Sequence, residues 1–382
     1  MKIETYLIIL IIIVLPKACI TPFTAKGVEV EAETLVVDGD IILNGETKVY
    51  LSYMVTLDSY YDFKSIADAT VWVESSSGDK YPGALRFESA NRSHYIIDTK
   101  TLGLDKQYKL CVHLSNGRIY ESDFLTPLDT PSIESLEYVV NEERTAVDFY
   151  VTSYADNDAS PFYKWDFIED WEVVSRYRTD TYFNYASNTI VSYPRESYAL
   201  YCWVQAASIP ILIARTDHLS ENIVYQQKIH SINNRNSRLS YLYSMELRQL
   251  SLTKEAYNYW SVLKKNTDEI GGLFAPQPND IYGNIRCVSD PDARAIGYIS
   301  AGIPSVKRIF IDEMDVRIYI PPPCLFFNFS EWPIRPSNRD LYSMGFQIFI
   351  VAGRQEWVPI ACIDCTAIGT KNKPSFWPND HI

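Results

Sequence analysis

The sequence predicts a mainly β protein: an N-terminal immunoglobulin-like β-sandwich followed by a larger fibronectin-like β domain with a helical insertion. Three observations predict it. Apolar and polar residues alternate with a two-residue period in short runs. Turn signals such as Asp38-Gly39, Asn44-Gly45 and Asn116-Gly117 separate those runs. Tyrosine is abundant at 28 residues and aromatics reach 14% of the chain, which suits pleated, half-buried surfaces and equally suits polar ligands held by amphipathic rings.

The chain opens differently. Tyr6 to Leu15 is apolar apart from one tyrosine hydroxyl, and is too short for a spanning helix, which needs roughly 20 residues. Pro16 stops it, and small Ala18 precedes Cys19. The arrangement resembles a bacterial lipobox, with Lys17 where a small or apolar residue is usual. We therefore expect a signal peptide over 1–18, lipidation at Cys19, and a lipid-anchored tether over 19–32 that attaches the protein to a membrane. An uncleaved anchor, or an ordinary signal beside a disulfide cysteine, would be the plainer readings. Loss of 1–18 removes Lys2, Lys17 and Glu4, shifting the formal charge from −13 to −14. That charge repels phosphate backbones and argues against nucleic acid as a partner.

Residues 33–128 form the expected first sandwich, with strands at Leu35–Val37, Val49–Val55, Thr70–Glu74, Tyr95–Asp98, Tyr108–Leu114 and Ile119–Phe124. Within Tyr108–Leu114, Tyr108, Leu110, Val112 and Leu114 share one face. Pro127 and Pro131 mark a boundary, and the second β domain is expected over 132–382. Its strands include Val147–Val151, Tyr163–Ile168, Trp171–Ser175 and an alternating run from Tyr241 to Leu247. The apolar run Tyr198–Ala214 holds Gln205, Ser208 and Pro210, and reads as two buried strands rather than a membrane segment. A helix is expected near 254–265: Thr253 caps it, Glu255 sits in its first turn, and Ala256, Tyr259, Trp260 and Leu263 form its apolar stripe. Further strands follow near 295–301 and 306–312.

Six cysteines remain once Cys19 is lipidated, an even number that suits an oxidising compartment. Cys111 lies in a strand and reads as a small buried hydrophobe. Cys362-Ile-Asp-Cys365 looks like a redox pair, but no βαβ pattern surrounds it and no second ligand pair suggests zinc. A structural disulfide is the better reading, either within the motif or to Cys202 or Cys324. Asp156, Asp158 and Ser160 imitate the start of a calcium loop, yet Pro161 and Phe167 replace its glycine and glutamate, leaving a solvated turn. Tyr163, Trp165, Phe167 and Trp171 could stack on a sugar, although alternation favours core packing. The five histidines show no metal spacing, and no nucleophile, zinc-protease or phosphate-loop motif is present. No catalytic residue, cofactor or metal is therefore expected.

Six segments together resemble a known family: Leu35–Ile41, Tyr163–Glu172, Arg248–Tyr257, Gly271–Ile285, Lys307–Ile311 and Cys362–Trp377. In order and over nearly the whole mature length they look like the Bacteroidetes "domain of unknown function 4249" lipoproteins. Ala275 stands where an acid is common, and Gly369 is single where two glycines are frequent. The resemblance implies an envelope lipoprotein, often encoded beside TonB-dependent outer-membrane receptors, with no established catalysis. The expected role is that of a non-enzymatic accessory or ligand-binding partner of such a receptor, the ligand being a glycan or a peptide. It would be lipid-anchored at the outer membrane, on a face the sequence leaves open. A glycan-acting hydrolase and a surface adhesin or structural lipoprotein are the alternatives from other classes. Plentiful carboxylates keep the hydrolase open.

Overall fold

A computed structural model describes residues 34–55, 65–89, 91–192, 199–268, 283–318, 324–329, 332–334, 336–351 and 353–379. The signal peptide, the tether and Cys19 lie outside the described residues, as does most of the Gly271–Ile285 segment. The protein is mainly β, as its alternation requires. No described helix is long and apolar enough to cross a membrane.

The first sandwich is two sheets joined by one strand that passes between them. Leu35–Gly39, Glu46–Tyr53 and Ser93–Asp98 pair antiparallel in one sheet. Thr70–Ser75, Tyr108–His113 and Ile119–Ser122 do so in the other. The strand Lys80–Phe87 pairs through Lys80–Pro82 with the second sheet and through Gly83–Phe87 with the first. Gly83 stands at that switch because a Cβ there would come within 3.0 Å of the Val71 carbonyl and 3.2 Å of Ile97. Leu35, Val37, Val49, Leu51 and Ile97 face Val71, Val73, Tyr108, Leu110 and Tyr120 across the core. Cys111 is fully buried and free, its thiol pushed up to about 12 by burial.

The expected division at 132 needs correction. Residues 283–303, assigned to the second domain, return to the first. Ile285–Cys287 pairs with Tyr120–Ser122 at one edge, and Ala295–Ile296 pairs in parallel with Leu35–Val36 at the other. Ala301–Ile303 lies between Ile41–Ile42 and Leu128–Asp129. Ile285, Cys287, Ile299 and Ala301 sit in the first core. Proline punctuation marks where the chain leaves a unit but carries no record of its return, and covering otherwise open sheet edges is the physical reason for that return.

The second sandwich sets Ile133–Val140, Ala146–Tyr154 and Ile223–Asn233 against Phe162–Val174, Leu242–Ser251 and Ser305–Asp312. Two expected strands, Tyr163–Ile168 and Trp171–Ser175, are one strand of 13 residues. On its far edge it pairs successively with Leu212–Arg215 and Tyr201–Ala207. Those two short strands are the pair expected in Tyr198–Ala214, but they are only partly buried: Tyr201 is 46% exposed, and no residue of Leu212–Arg215 is fully buried. They form the sheet's rim rather than its centre, so only alternate side chains meet the core. The helix Lys254–Asp268 forms beyond, with Thr253 Oγ1 accepting from the Ala256 amide.

A satellite joins a hairpin from mid-chain, Thr181–Asn184 with Thr189–Ser192, to one from the C-terminal residues, Phe346–Val351 with Arg354–Pro359. Phe183, Phe329, Leu341, Ile348 and Trp357 fill it. Disulfides Cys202–Cys365 and Cys324–Cys362 attach its connecting segments.

Candidate functional site: the cleft between the sandwiches

Alternation places the site. In Leu35–Ile41, Leu35 and Val37 point into the first core, so Asp38 falls on the outer face, diagonal to Lys48 and opposite Tyr50. In Phe162–Val174, Tyr163, Trp165 and Phe167 point into the second core, so Lys164 and Asp166 fall outside. The two outer faces meet across a cleft of about 500 Å³, with the helix residue Trp260 and the exposed Ile209–Leu212 segment at its walls.

Nearly every charge in the cleft is paired. Lys164 Nζ lies 2.5 Å from Asp40 Oδ2 and 4.5 Å from the Trp260 ring centroid. Asp40 Oδ1 also accepts from the Ser300 amide at 3.1 Å, so one buried carboxylate joins the first sandwich, the second and the returning segment. Asp166 and Arg248, directly opposite in register, form a two-pronged pair at 2.9–3.1 Å. Glu246 accepts from Arg308 Nη2 at 2.5 Å. Asp38 differs: among the described residues its carboxyl takes no hydrogen bond and no ion pair. Crowding by the walls raises its pKa most. Lys164 opposes that shift, Asp40 and Asp166 add to it, and Arg248 opposes it again. The nearby Tyr259 hydroxyl is pushed up to about 12, chiefly by burial and then by the charge of Asp38.

A second charged cluster lies inside the sandwich. Glu169 is 2% exposed, receives hydrogen bonds from Arg238 Nη1 at 2.6 Å and the Tyr243 hydroxyl at 2.9 Å, and lies 3.2 Å from His230 Nε2. Burial opposes its charge, but His230, Arg238 and Tyr243 together hold its pKa below the usual value. These partners are spent on one another, so the cluster is structural.

The residues singled out from sequence are dispersed. Cys19 lies outside the described residues. Cys202, Cys324, Cys362 and Cys365 form the two disulfides, each cysteine of the Cys362/Cys365 pair bonding a different remote partner and neither bonding the other. Tyr163, Trp165, Phe167 and Trp171 are all buried, Trp165 Nε1 donating to Gln249 Oε1 at 2.8 Å, so no sugar could stack on them. Asp156 and Asp158 lie exposed, Asp156 in a turn closed by the Ala159 amide. Among the described residues no group of three or more His, Cys, Asp or Glu is placed to hold a metal. Sequence reasoning missed Asp38, Asp40, Lys164, Asp166 and Arg248. The signal was present as charges interleaved with apolar residues in Leu35–Ile41 and Tyr163–Glu172, but alternation alone shows an outer face, not what that face meets. A larger, flatter groove of about 830 Å³ beside Arg178, Tyr201, Trp203 and Lys371 gathers fewer charges.

Fold and site together define a two-sandwich β protein whose domains enclose a charge-lined binding cleft. The chain belongs to the family described as domain of unknown function DUF4249, whose model matches residues 20–308. That span contains both sandwich walls of the cleft and ends within the strand Ser305–Asp312, before the C-terminal hairpin of the satellite. Comparison with curated proteins gives no match.

Proposed function

We propose that this chain is an envelope lipoprotein, held at the outer membrane through Cys19, that serves a TonB-dependent β-barrel uptake receptor as a non-enzymatic, ligand-binding partner. The anchoring half rests on the apolar segment ending at Ala18-Cys19 and on family membership. The binding half is carried by one observation: of the acids at the centre of the cleft, all but Asp38 are committed to fixed cations, which leaves no free pair. Asp40 is held by Lys164, Asp166 by Arg248 and Glu246 by Arg308. A glycosidase needs two carboxyls about 5–10 Å apart, one available as acid and one as base or nucleophile. Acids locked by cations make a shaped polar wall better than they exchange protons, which favours binding over hydrolysis. Sharing one membrane raises the effective concentration of receptor and partner, so modest affinity suffices.

The test is crosslinking in cells followed by pull-down, with wild type beside Cys19→Ala and a parallel glycan-degradation screen. The proposal expects acyl label and a β-barrel partner with wild type, both lost in Cys19→Ala. Recovery of the protein alone, with glycan turnover abolished by Asp38→Asn, would assign a hydrolase instead. Recovery alone with neither turnover nor ligand binding would point to an adhesin or structural role.

A further inference from the structure

Resting on the ligand-binding reading above, we infer that the cleft recognises a ligand through a primary ammonium group, with Asp38 as its acceptor and peptide as its chemical class. The cleft already shows what it stabilises. Lys164 supplies an ammonium from within the chain, and that ammonium is held between a carboxylate, Asp40, and an aromatic face, Trp260. Asp38 stands two residues before Asp40, which lies just past the end of the strand Leu35–Gly39, and both line the same cavity. Its carboxyl is reachable and unmatched, whereas Asp40, Asp166 and Glu246 each have a cation in hydrogen-bond contact.

Five carboxylates line the cleft, Asp38, Asp40, Glu46, Asp166 and Glu246, against four cations, Lys48, Arg92, Lys164 and Arg248. Their sum is −1, one positive charge short of neutral. A guest ammonium at Asp38 closes that deficit, while a guest carboxylate would enlarge it. The cavity of about 500 Å³ suits a side chain or a short peptide segment rather than a folded partner. Lys48 lies diagonal to Asp38 on the same face and forms no ion pair among the described residues. It offers a second contact for a peptide carbonyl or carboxyl. A neutral sugar would leave the Asp38 charge uncompensated, so the observations favour the amine.

The test uses the full chain purified in detergent, titrated calorimetrically with acetyl-Gly-Lys-Gly-amide, which carries one ammonium. Acetyl-Gly-Gln-Gly-amide and maltotriose serve as neutral probes. The inference expects one lysyl peptide bound per chain, with affinity weakened about tenfold or more by Asp38→Asn. Asp38→Glu, which restores the carboxylate, should recover most of the affinity. Glu142→Gln, at an exposed turn far from the cleft lining, should change nothing. Binding should also weaken as pH falls through the raised pKa of Asp38. Equal binding of lysyl and glutaminyl peptides, unchanged affinity in Asp38→Asn, preference for maltotriose, or no lysyl-peptide binding up to about 10 mM would each overturn it. A failed titration alongside an intact receptor crosslink removes this inference and leaves the accessory role standing. A successful titration without a receptor crosslink does the reverse.

Discussion

Two carboxylates, Glu169 and Asp38, show how one residue type serves opposite ends in this molecule. Glu169 is buried with its cations, and its pKa is depressed. A depressed carboxylate contributes stability above its unfolded pKa of about 4.3 and loses it as pH falls through the folded value. Arg238→Met should therefore cost about 3–5 kcal/mol at pH 7 by stranding that charge, with a much smaller penalty once Glu169 is protonated. Urea denaturation at pH 7 and below pH 4 measures the difference. Asp38 runs the other way. Its raised pKa means that ionisation disfavours the folded state, so Asp38→Asn should be more stable than wild type at neutral pH. That advantage should vanish as pH falls below the unfolded value of about 3.9, where wild type is protonated in both states. Thermal melts across that range would show it, and an advantage that grew in acid would refute the assignment. Neither role was legible in the sequence, because both are aspartate or glutamate in alternating strands and the environment that separates them comes from remote residues.

At the level of elements, local signals are legible in the sequence and long-range ones are not. The helix at Lys254–Asp268 announced itself through Thr253 and its apolar stripe, since cap and stripe are near neighbours in sequence. The strand Phe162–Val174 looks like two in the sequence because Glu169 and Asp170 interrupt its apolar run, and remote partners make those acids tolerable there: Arg238, His230 and Tyr243 for Glu169, Arg308 and Gln205 for Asp170. The cysteine partners could be narrowed but not assigned, because spacing carries no geometry. Cys202–Cys365 spans 163 residues and Cys324–Cys362 spans 38, so each fastens a distant segment. Replacing Cys365 by serine should cost about 2–4 kcal/mol and open the C-terminal segment to protease, and non-reducing peptide maps should recover these two pairs. Backbone crowding gives a further expectation. Gly297 has φ +145°, and a Cβ there would lie 2.1 Å from the Val37 carbonyl. Gly297→Ala should loosen the first sandwich at the strand that bears Asp38, seen as faster amide exchange over Leu35–Gly39.

For the molecule as a whole, the fold class followed from periodicity, whereas the domain division did not. The first sandwich takes both of its outer strands from residues 285–296, and Asp40 binds Lys164 of the second sandwich and the amide of Ser300. A fragment of residues 33–128, the unit its sequence suggests, should lack a cooperative unfolding transition, because two sheet edges and four core side chains are missing. A chain extending through residue 318 should show one. Circular dichroism melts of the two fragments distinguish these outcomes. The cleft depends on the same closure, since its walls belong to different sandwiches and their spacing is set by the returning strands.

That return also fixes an order in time. As the chain emerges from its N-terminus, residues 34–128 can collapse but cannot finish, because the strands that seal their edges follow more than 150 residues later, as the pairing of Ser122 with Ile285 shows. The second sandwich is no more local: Ala146–Tyr154 pairs with Ile223–Asn233, and its strand Ser305–Asp312 lies beyond the returning segment, so neither sandwich closes until the chain has passed residue 303. Pairings at such separation are slow and leave the waiting strands exposed to other chains. Refolding should therefore show a slow phase in which Trp165 and Trp171 of the second sandwich and Trp72 of the first change their fluorescence together, and a second sandwich that formed well ahead of the first would refute this. The step that completes the first sandwich is also the one that builds the cleft, so ligand-binding capacity should appear only with the slow phase.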